Sequence, residues 1–420
     1  MKLAVVGGGS TYTPELVDGI ARLTGDIKIT ELVLVDPDAD RLSVVGPFSA
    51  RIMARYGHPA TVTWTSDLDT AVDGAGAVLL QLRVGGQATR HRDETWPLEC
   101  GCIGQETTGA GGFAKALRTV PVVLDVASRI RELAEPDAWI IDFTNPVGIV
   151  TRALLDAGHR AIGLCNVAIG YQRLFASLLD VTPERIGLDH VGLNHLTWER
   201  AALLDGSDRL PELLAAHGEQ IAGHTGLPLE VTQAIRAVPS YYLRYFWAHD
   251  AIVAEESGRE TRAQAVAKIE QQLLDMYADP TLDTKPELLS HRGGAFYSEA
   301  AVALLASLIT DAGDRQVVNV RNNGTLPFLA GDAVIEVSAF VGASGARPVE
   351  VAPVNPLMSG LIAHVSAYEE LAVDAALRGG RDRVAKALLA HPLIGQFDLA
   401  GQLTDRLLAE NAAFLPWANR

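Results

Sequence analysis

Over the first 165 residues, short apolar runs alternate with segments of helical period. KLAVVG (2–7), ELVLVD (31–36), AVLLQL (77–82), AWIIDF (138–143) and RAIGLC (160–165) have strand length and are apolar almost throughout, as strands buried on both faces are. Between the first two, TPELVDGIARL (13–23) places Leu16, Ile20 and Leu23 on one helical face. Thr13 makes a good N-cap there, and Pro14 suits the first helical position, where its missing N–H costs nothing. This alternation predicts an α/β unit over residues 1–165, a doubly wound parallel sheet covered by helices on both faces.

Residues 166–420 lose the alternation and predict a second, mixed α+β domain. GRETRAQAVAKIEQQLLDMY (258–277) reads as a charged amphipathic helix, AFYSEAAVALLASLI (295–309) as a more buried one, and QVVNV (316–320) as a strand. DAVIEVSAFV (332–341) and RPVEVA (347–352), joined through GASG, read as a hairpin. LMSGLIAHVSAYEELAVDAAL (357–377) and two shorter helices close the chain.

Composition acts mainly by exclusion. The 420 residues, 48% hydrophobic and 20% charged, describe an ordinary globular chain long enough for two domains. A net charge of −16 argues against nucleic-acid partners and against an anionic membrane surface, and a phosphorylated ligand would need a local basic pocket. No uncharged apolar run reaches membrane-spanning length, and MKLAVVGGG is not expected to act as a signal peptide. Cys100, Cys102 and Cys165 have no metal-knuckle spacing, and their odd number suits a reducing compartment, so a cytoplasmic location is expected. Wide apolar helix faces make a homodimer or homotetramer the expected assembly.

The chemistry gathers where strands end. GGGSTYT (7–13) joins the first strand to the first helix, and Gly7, Gly9, Ser10 and Thr11 would let the backbone approach a pyrophosphate at the helix N-terminus. The full dinucleotide fingerprint would have glycine where Tyr12 stands, so the motif alone is weak. Asp36, ending the second strand, strengthens it: a carboxylate there accepts both ribose hydroxyls of NAD and repels the extra phosphate of NADP. A Rossmann-type, NAD-binding unit is therefore expected. The remaining strand ends carry Arg83, Asn145 and Cys165, on the edge where such sheets bind ligands. An Asn-Pro turn accounts for Asn145 equally well. Cys165 and His195 each follow a buried run; packing explains either one alone. Together they are too few for a structural zinc but would suit a catalytic cation completed by water and substrate.

These residues sit in a series of motifs: VVGGGSTYTPEL (5–16), RVGG (83–86), IGQETTGAGGFAKALRTVP (103–121), DFTNPVGIVT (142–151), LCN (164–166), GLNH (192–195), YLRYF (242–246), RGGAFYSEAA (292–301) and VVNVRNNGTLPFL (317–329). In this order the series resembles glycoside hydrolase family 4, the NAD-dependent exception to two-carboxylate glycoside hydrolysis. The resemblance implies a lactate/malate-dehydrogenase-like dinucleotide domain, with a divalent cation, usually manganese, on Cys165 and His195. It implies that Tyr242, rather than Tyr241, is the catalytic base, helped by the cation or by Arg244 or Arg292. Asn166 resembles the branch acting on 6-phospho-β-glucosides, where the 6-phospho-α-glucosidases carry Asp; many β-branch relatives have Pro where this chain has Ala168. Asn145 and Asn166 would then contact substrate, and Arg90 and Arg292 its phosphate, while Arg92 reads as solvated surface.

The implied reaction has a physical rationale. Hydrogen on C2 of a sugar is not acidic until C3 is oxidised to a ketone by hydride transfer to NAD. The C2 carbanion is then an enolate, which a cation on the C2 and C3 oxygens stabilises. Deprotonation, expulsion of the C1 substituent, water addition and return of the hydride give hydrolysis of a phosphorylated disaccharide or glycoside with no net redox change. Two other readings compete: a plain NAD-dependent dehydrogenase of a small hydroxy acid or polyol, pairing His195 with Glu199 and leaving Cys165 idle, and an NAD-sensing protein without catalysis.

Overall fold

The computed structural model describes residues 1–23, 27–294 and 296–418. The apolar runs become β1 (Lys2–Val6), β2 (Glu31–Val35), β4 (Ala75–Leu80), β5 (Trp139–Asp142) and β6 (Ala161–Gly163), with β3 (Thr61–Thr65) added outside β2. All six are parallel, in the order β6-β5-β4-β1-β2-β3, so their carboxyl ends share one edge and the order reverses beside β1. The strand TVTWT escapes the apolar-run signal because it is an outer strand with Trp64 exposed.

The rest of the chain adds antiparallel strands to the same sheet: β7 (Ile186–Leu193), β8 (Leu196–Leu204), β9 (Ser207–Asp208), β10 (Val238–Pro239), β11 (Asp314–Arg321), β12 (Val334–Gly342) and β13 (Gly345–Pro348). The path continues β6-β11-β12-β7-β8-β10, with β13 on β12 and β9 on β8. The fold is thus α/β, a parallel sheet core followed by a mixed α+β part. The hairpin expected over 332–352 is present, with a shorter second strand. The helices expected in this half run Arg262–Tyr277, Tyr297–Thr310, Pro356–Arg378, Arg381–Ala390 and Phe397–Asn411; Ala295, where the second was expected to begin, lies outside the described residues. No helix among the described residues is long and apolar enough to cross a membrane.

Two local expectations need correction. Thr13 is the first helical residue rather than the cap of Thr13–Ala21; its hydroxyl accepts from Gln81 Nε2 at 2.7 Å, which ties the helix to the end of β4. The longest helix, Gly109–Leu133, is not apparent in the sequence, because GAGG at its start reads as a turn. Here the glycines serve close packing: a Cβ at Gly111 would stand 2.3 Å from the Asp93 carbonyl oxygen. This helix packs on Gly86–Glu99, Val147–Asp156 and Pro356–Arg378. Its Arg118 forms a buried, two-pronged ion pair with Asp93 and also donates to Asn411 Oδ1 at 2.8 Å.

Asp142, closing β5, is fully buried and accepts from Thr144 N at 2.9 Å; burial pushes its carboxyl up to about 7. A folded-state value above the ordinary 3.8 means that its stabilising contribution is complete below 3.8 and is lost as pH rises towards 7. Asp142→Asn should therefore raise stability above neutral pH, by up to about 4 kcal/mol, and flatten its pH dependence between about pH 4 and 7. Denaturant midpoints at several pH values test this; no gain at alkaline pH would contradict it.

Candidate active site

A cavity of about 1410 Å³ opens over the carboxyl edge of the parallel strands. Its cofactor end is the first turn. Gly7 has φ +87°, and a Cβ there would lie 2.7 Å from the Gln81 carbonyl oxygen, so only glycine fits. Gly9 approaches the end of β2 closely enough for its N–H to donate to Asp36 Oδ2 at 3.1 Å, and its carbonyl accepts from Arg41 Nε at 2.9 Å. Gly7, Ser10 and Asp36 face the cavity, while Gly9 and Thr11 lie just behind its wall. Tyr12, where a third glycine was wanted, is buried; its hydroxyl donates to the Gly294 carbonyl and accepts from Ser298 N. It fastens the turn to the second half of the chain instead.

Cys165 and His195 do not line the cavity themselves; each lies behind a tyrosine that does, Tyr297 and Tyr242. Cys165 follows β6, is buried, and receives a hydrogen bond from the Tyr297 hydroxyl at 3.7 Å; burial, with Glu336 nearby, pushes its thiol up to about 12. His195 occupies a two-residue turn between β7 and β8 with φ +63°. Its ring stacks on that of Tyr242, with centroids 3.6 Å apart and planes 7° from parallel. Both ring nitrogens are buried without a hydrogen-bond partner, and burial lowers its pKa to about 4. A neutral imidazole with a free lone pair and a thiol are donor types a borderline cation takes, so these residues fit one. Among the described residues no group of three or more His, Cys, Asp or Glu is placed to hold a metal. The cation's other ligands would be water or substrate oxygens.

Tyr242 caps the helix Leu243–Trp247 and faces the cavity; burial, with Cys165 and Tyr245 nearby, raises its phenol well above the ordinary value. Neither arginine expected to assist it is bonded to it. Arg244 pairs with the Tyr241 hydroxyl and Glu255, whereas Tyr242 bonds Thr107. Arg292 donates to Thr11 Oγ1 at 2.7 Å, to Glu270 Oε1 at 2.9 Å and to Ser10 Oγ at 3.3 Å, which places it against the glycine-rich turn. Asn145 and Asn166 line the cavity, and Asn145 Oδ1 is buried without a partner.

Arg90 also lines the cavity, but its Nε is shared between Glu94 at 2.7 Å and Glu106 at 3.1 Å. Sequence reasoning did not single out Glu106. Three cations surround it: Arg83, Arg90 and, at 2.7 Å, Lys115. Burial opposes its ionisation, yet Arg83, Lys115 and Arg90 hold its carboxyl well below the usual range. Glu94 also pairs with Arg90 and Glu270 acts on Arg83, so the three cations are shared among carboxylates in this wall. All but Arg83, Arg90 and Glu270 lie in unremarked parts of IGQETTGAGGFAKALRTVP or the helix before it, and only the fold brings them together. Arg92 is exposed, as expected. Glu199, the carboxylate a dehydrogenase would pair with His195, is bonded to His190 instead.

Sequence and fold comparisons place the chain in a family. Residues 2–181 match the family 4 glycosyl hydrolases and residues 190–394 match the C-terminal domain of that family. The chain belongs to the family 4 glycosyl hydrolases. It is 36% identical over 434 residues to the probable 6-phospho-beta-glucosidase of Bacillus subtilis, covering 99% of this chain and 97% of that one. It is 34% identical to the 6-phospho-beta-glucosidase of Thermotoga maritima, covering 99% of both. The structure of the Thermotoga maritima 6-phospho-beta glucosidase with manganese, NAD+ and glucose-6-phosphate superposes with a TM-score of 0.93 over 99% of each chain. A 6-phospho-alpha-glucosidase from gut microorganisms, in complex with NAD and Mn2+, superposes with a TM-score of 0.89 at 26% identity, also over 99% of each chain.

Proposed function

We propose that this protein hydrolyses 6-phospho-β-glucosides, using NAD and a divalent cation, most readily manganese. The observation that carries the reading is that Tyr242, which lines the same cavity as the glycine-rich turn and Asp36, stacks on His195, whose two nitrogens are without a hydrogen-bond partner. Asp36 would accept from the ribose, and Gly7, Gly9, Ser10 and Thr11 would shape the pyrophosphate turn. Cys165 and His195 would hold the cation, and Asn145 and Asn166 would bond sugar hydroxyls. The β-anomer is supported by Asn166 after Cys165 and by the higher identity to 6-phospho-beta-glucosidases than to their alpha counterparts.

When bound, NAD takes and returns a hydride at C3, and the cation polarises the sugar oxygens and favours the phenolate of Tyr242. The Tyr242 oxygen removes the C2 proton. Arg90 and Arg292 would meet the 6-phosphate, Arg90 by exchanging part of its bonding to Glu94 and Glu106 for the incoming anion. Residues 1–165 would serve mainly the cofactor, while also supplying Cys165, Arg90 and Asn145, and 166–420 would complete the cation and substrate site and carry self-association. Exposed Leu357, Leu377, Leu389 and Phe397 on the last helices support a homodimer or homotetramer, and three free cysteines support the cytoplasm.

The test follows nitrophenolate and NADH together, with nitrophenyl 6-phospho-β-glucoside, NAD and manganese. Steady nitrophenolate release without NADH accumulation, lost when NAD or metal is omitted, is expected. NADH rising in step with substrate consumption would make the protein a dehydrogenase. Deuterium at C2 should slow turnover; displacement at C1 would leave that hydrogen untouched and the rate unchanged.

A further inference from the structure

Two neighbouring rows of paired residues cross the antiparallel half of the sheet. Glu199 on β8 lies opposite His190 on β7; Glu336 on β12 lies opposite Asn319 on β11, and Asn319 lies opposite Gly163 on β6. The four polar members are buried, and their side chains form one connected chain. His190 bonds Glu199 Oε1 through Nδ1 at 2.6 Å and Glu336 Oε1 through Nε2 at 3.1 Å. Asn319 Nδ2 donates to Glu336 Oε2 at 2.8 Å, and Asn194 Nδ2 donates to the same oxygen at 3.1 Å. Three donors from three different segments thus converge on one carboxylate.

A buried ionic network is weak evidence of stabilisation, since apolar residues of similar volume often serve a core as well. The ends of this one suggest another purpose. Asn194 is the residue immediately before His195 in the β7–β8 turn. Asn319 packs against Gly163, where a Cβ would stand 3.0 Å from the Asn319 Cβ, two residues before Cys165. Glu336 is therefore one hydrogen bond from Asn194, which precedes His195 and also bonds the Cys165 thiol, and is joined to the segment before Cys165 through Asn319 and its packing on Gly163.

We propose that Glu336 is a positioning residue that fixes Cys165 and His195 relative to each other and so sets the affinity for the cation. This rests on the reading of those two side chains as cation ligands. Burial works against ionisation of Glu336, but His190, Asn194 and Asn319 hold its carboxyl below the usual value, while Glu199 and Glu336 together push His190 up to about 10. The carboxylate therefore also adds fixed negative charge near both ligands. Such supporting groups typically govern metal affinity by about 10–100-fold.

The experiment is a manganese titration of the full-length protein with NAD present, reading free Mn2+ by electron paramagnetic resonance. Glu336→Gln keeps the shape and removes the charge; its Kd for manganese should rise by about 10–100-fold, with the Kd for NAD unchanged. A merely structural role would lower the unfolding midpoint but leave the manganese affinity of the folded protein alone. If Glu336→Gln does not fold, Asn194→Ala, which cuts the link at the edge of the network, decides on the same titration. Wild-type manganese affinity in the folded variant would overturn the role of Glu336 and leave the cation site standing. A wild-type chain that takes no manganese would overturn the cation reading and this proposal with it.

Discussion

Tyr242→Phe is expected to lower kcat by about two to four orders of magnitude, the span that a positioned general base contributes, while leaving NAD binding and stability nearly unchanged. Phenylalanine keeps the ring that stacks on His195 and the packing of the helix it caps. What disappears is the phenolic oxygen and its bond to Thr107, about 1 kcal/mol as a hydrogen bond. The cofactor turn is untouched, because none of the residues at Gly7, Gly9 or Asp36 contacts Tyr242 through a hydrogen bond. Steady-state kinetics on nitrophenyl 6-phospho-β-glucoside, beside a fluorescence titration with NAD, separate the two effects. Undiminished turnover would move the base elsewhere; lost NAD affinity would make Tyr242 structural.

The second large effect concerns stability alone. Arg118→Ala should destabilise the protein by about 3–5 kcal/mol, since it strands a buried carboxylate. Arg118 and Asp93 are both almost wholly enclosed, and the guanidinium also serves Asn411 Oδ1 and, at 3.3 Å, the Val84 carbonyl. One side chain thereby ties the long helix Gly109–Leu133 to the helix Gly86–Glu99, to the loop before it and to the last helix of the chain. The loss should appear as a lower denaturant midpoint, with kcat intact in the fraction that stays folded at low temperature. A change below about 1 kcal/mol would mean that water or Asp93 protonation relieves the pair.

The strands of the first half were legible because they are buried on both faces and therefore apolar without interruption. Strand β3 has solvent on its outer side and the mixed composition that goes with it. The β7–β8 hairpin was hidden for a different reason: Asp189 and His190 break its apolar run, and Asn194-His195 lacks the glycine that usually marks a two-residue turn. Site residues carried in motifs could be named from sequence, and the fold does bring Asp36, Asn145, Asn166, Tyr242 and Arg292 onto one cavity. What each touches was not legible. That Arg292 would lie on Ser10 and Thr11, some 280 positions away, or that Glu106 would gather Arg83, Arg90 and Lys115, depends on pairings between distant segments. No local pattern encodes them.

The antiparallel strand β11 is hydrogen-bonded to the last parallel strand, β6. Many two-part enzymes open and close by swivelling one lobe about a hinge between them. A swivel here would have to break the pairing of Asn319 with Gly163, so the sheet works as a common chassis under the Asp36 end and the Cys165–His195 end. The helical arm between β10 and β11, which brings Tyr242 and Arg292 to the cavity, is moored to the same frame through Arg292–Thr11 and Tyr12–Gly294, so both ends of the cavity are fixed to one continuous sheet.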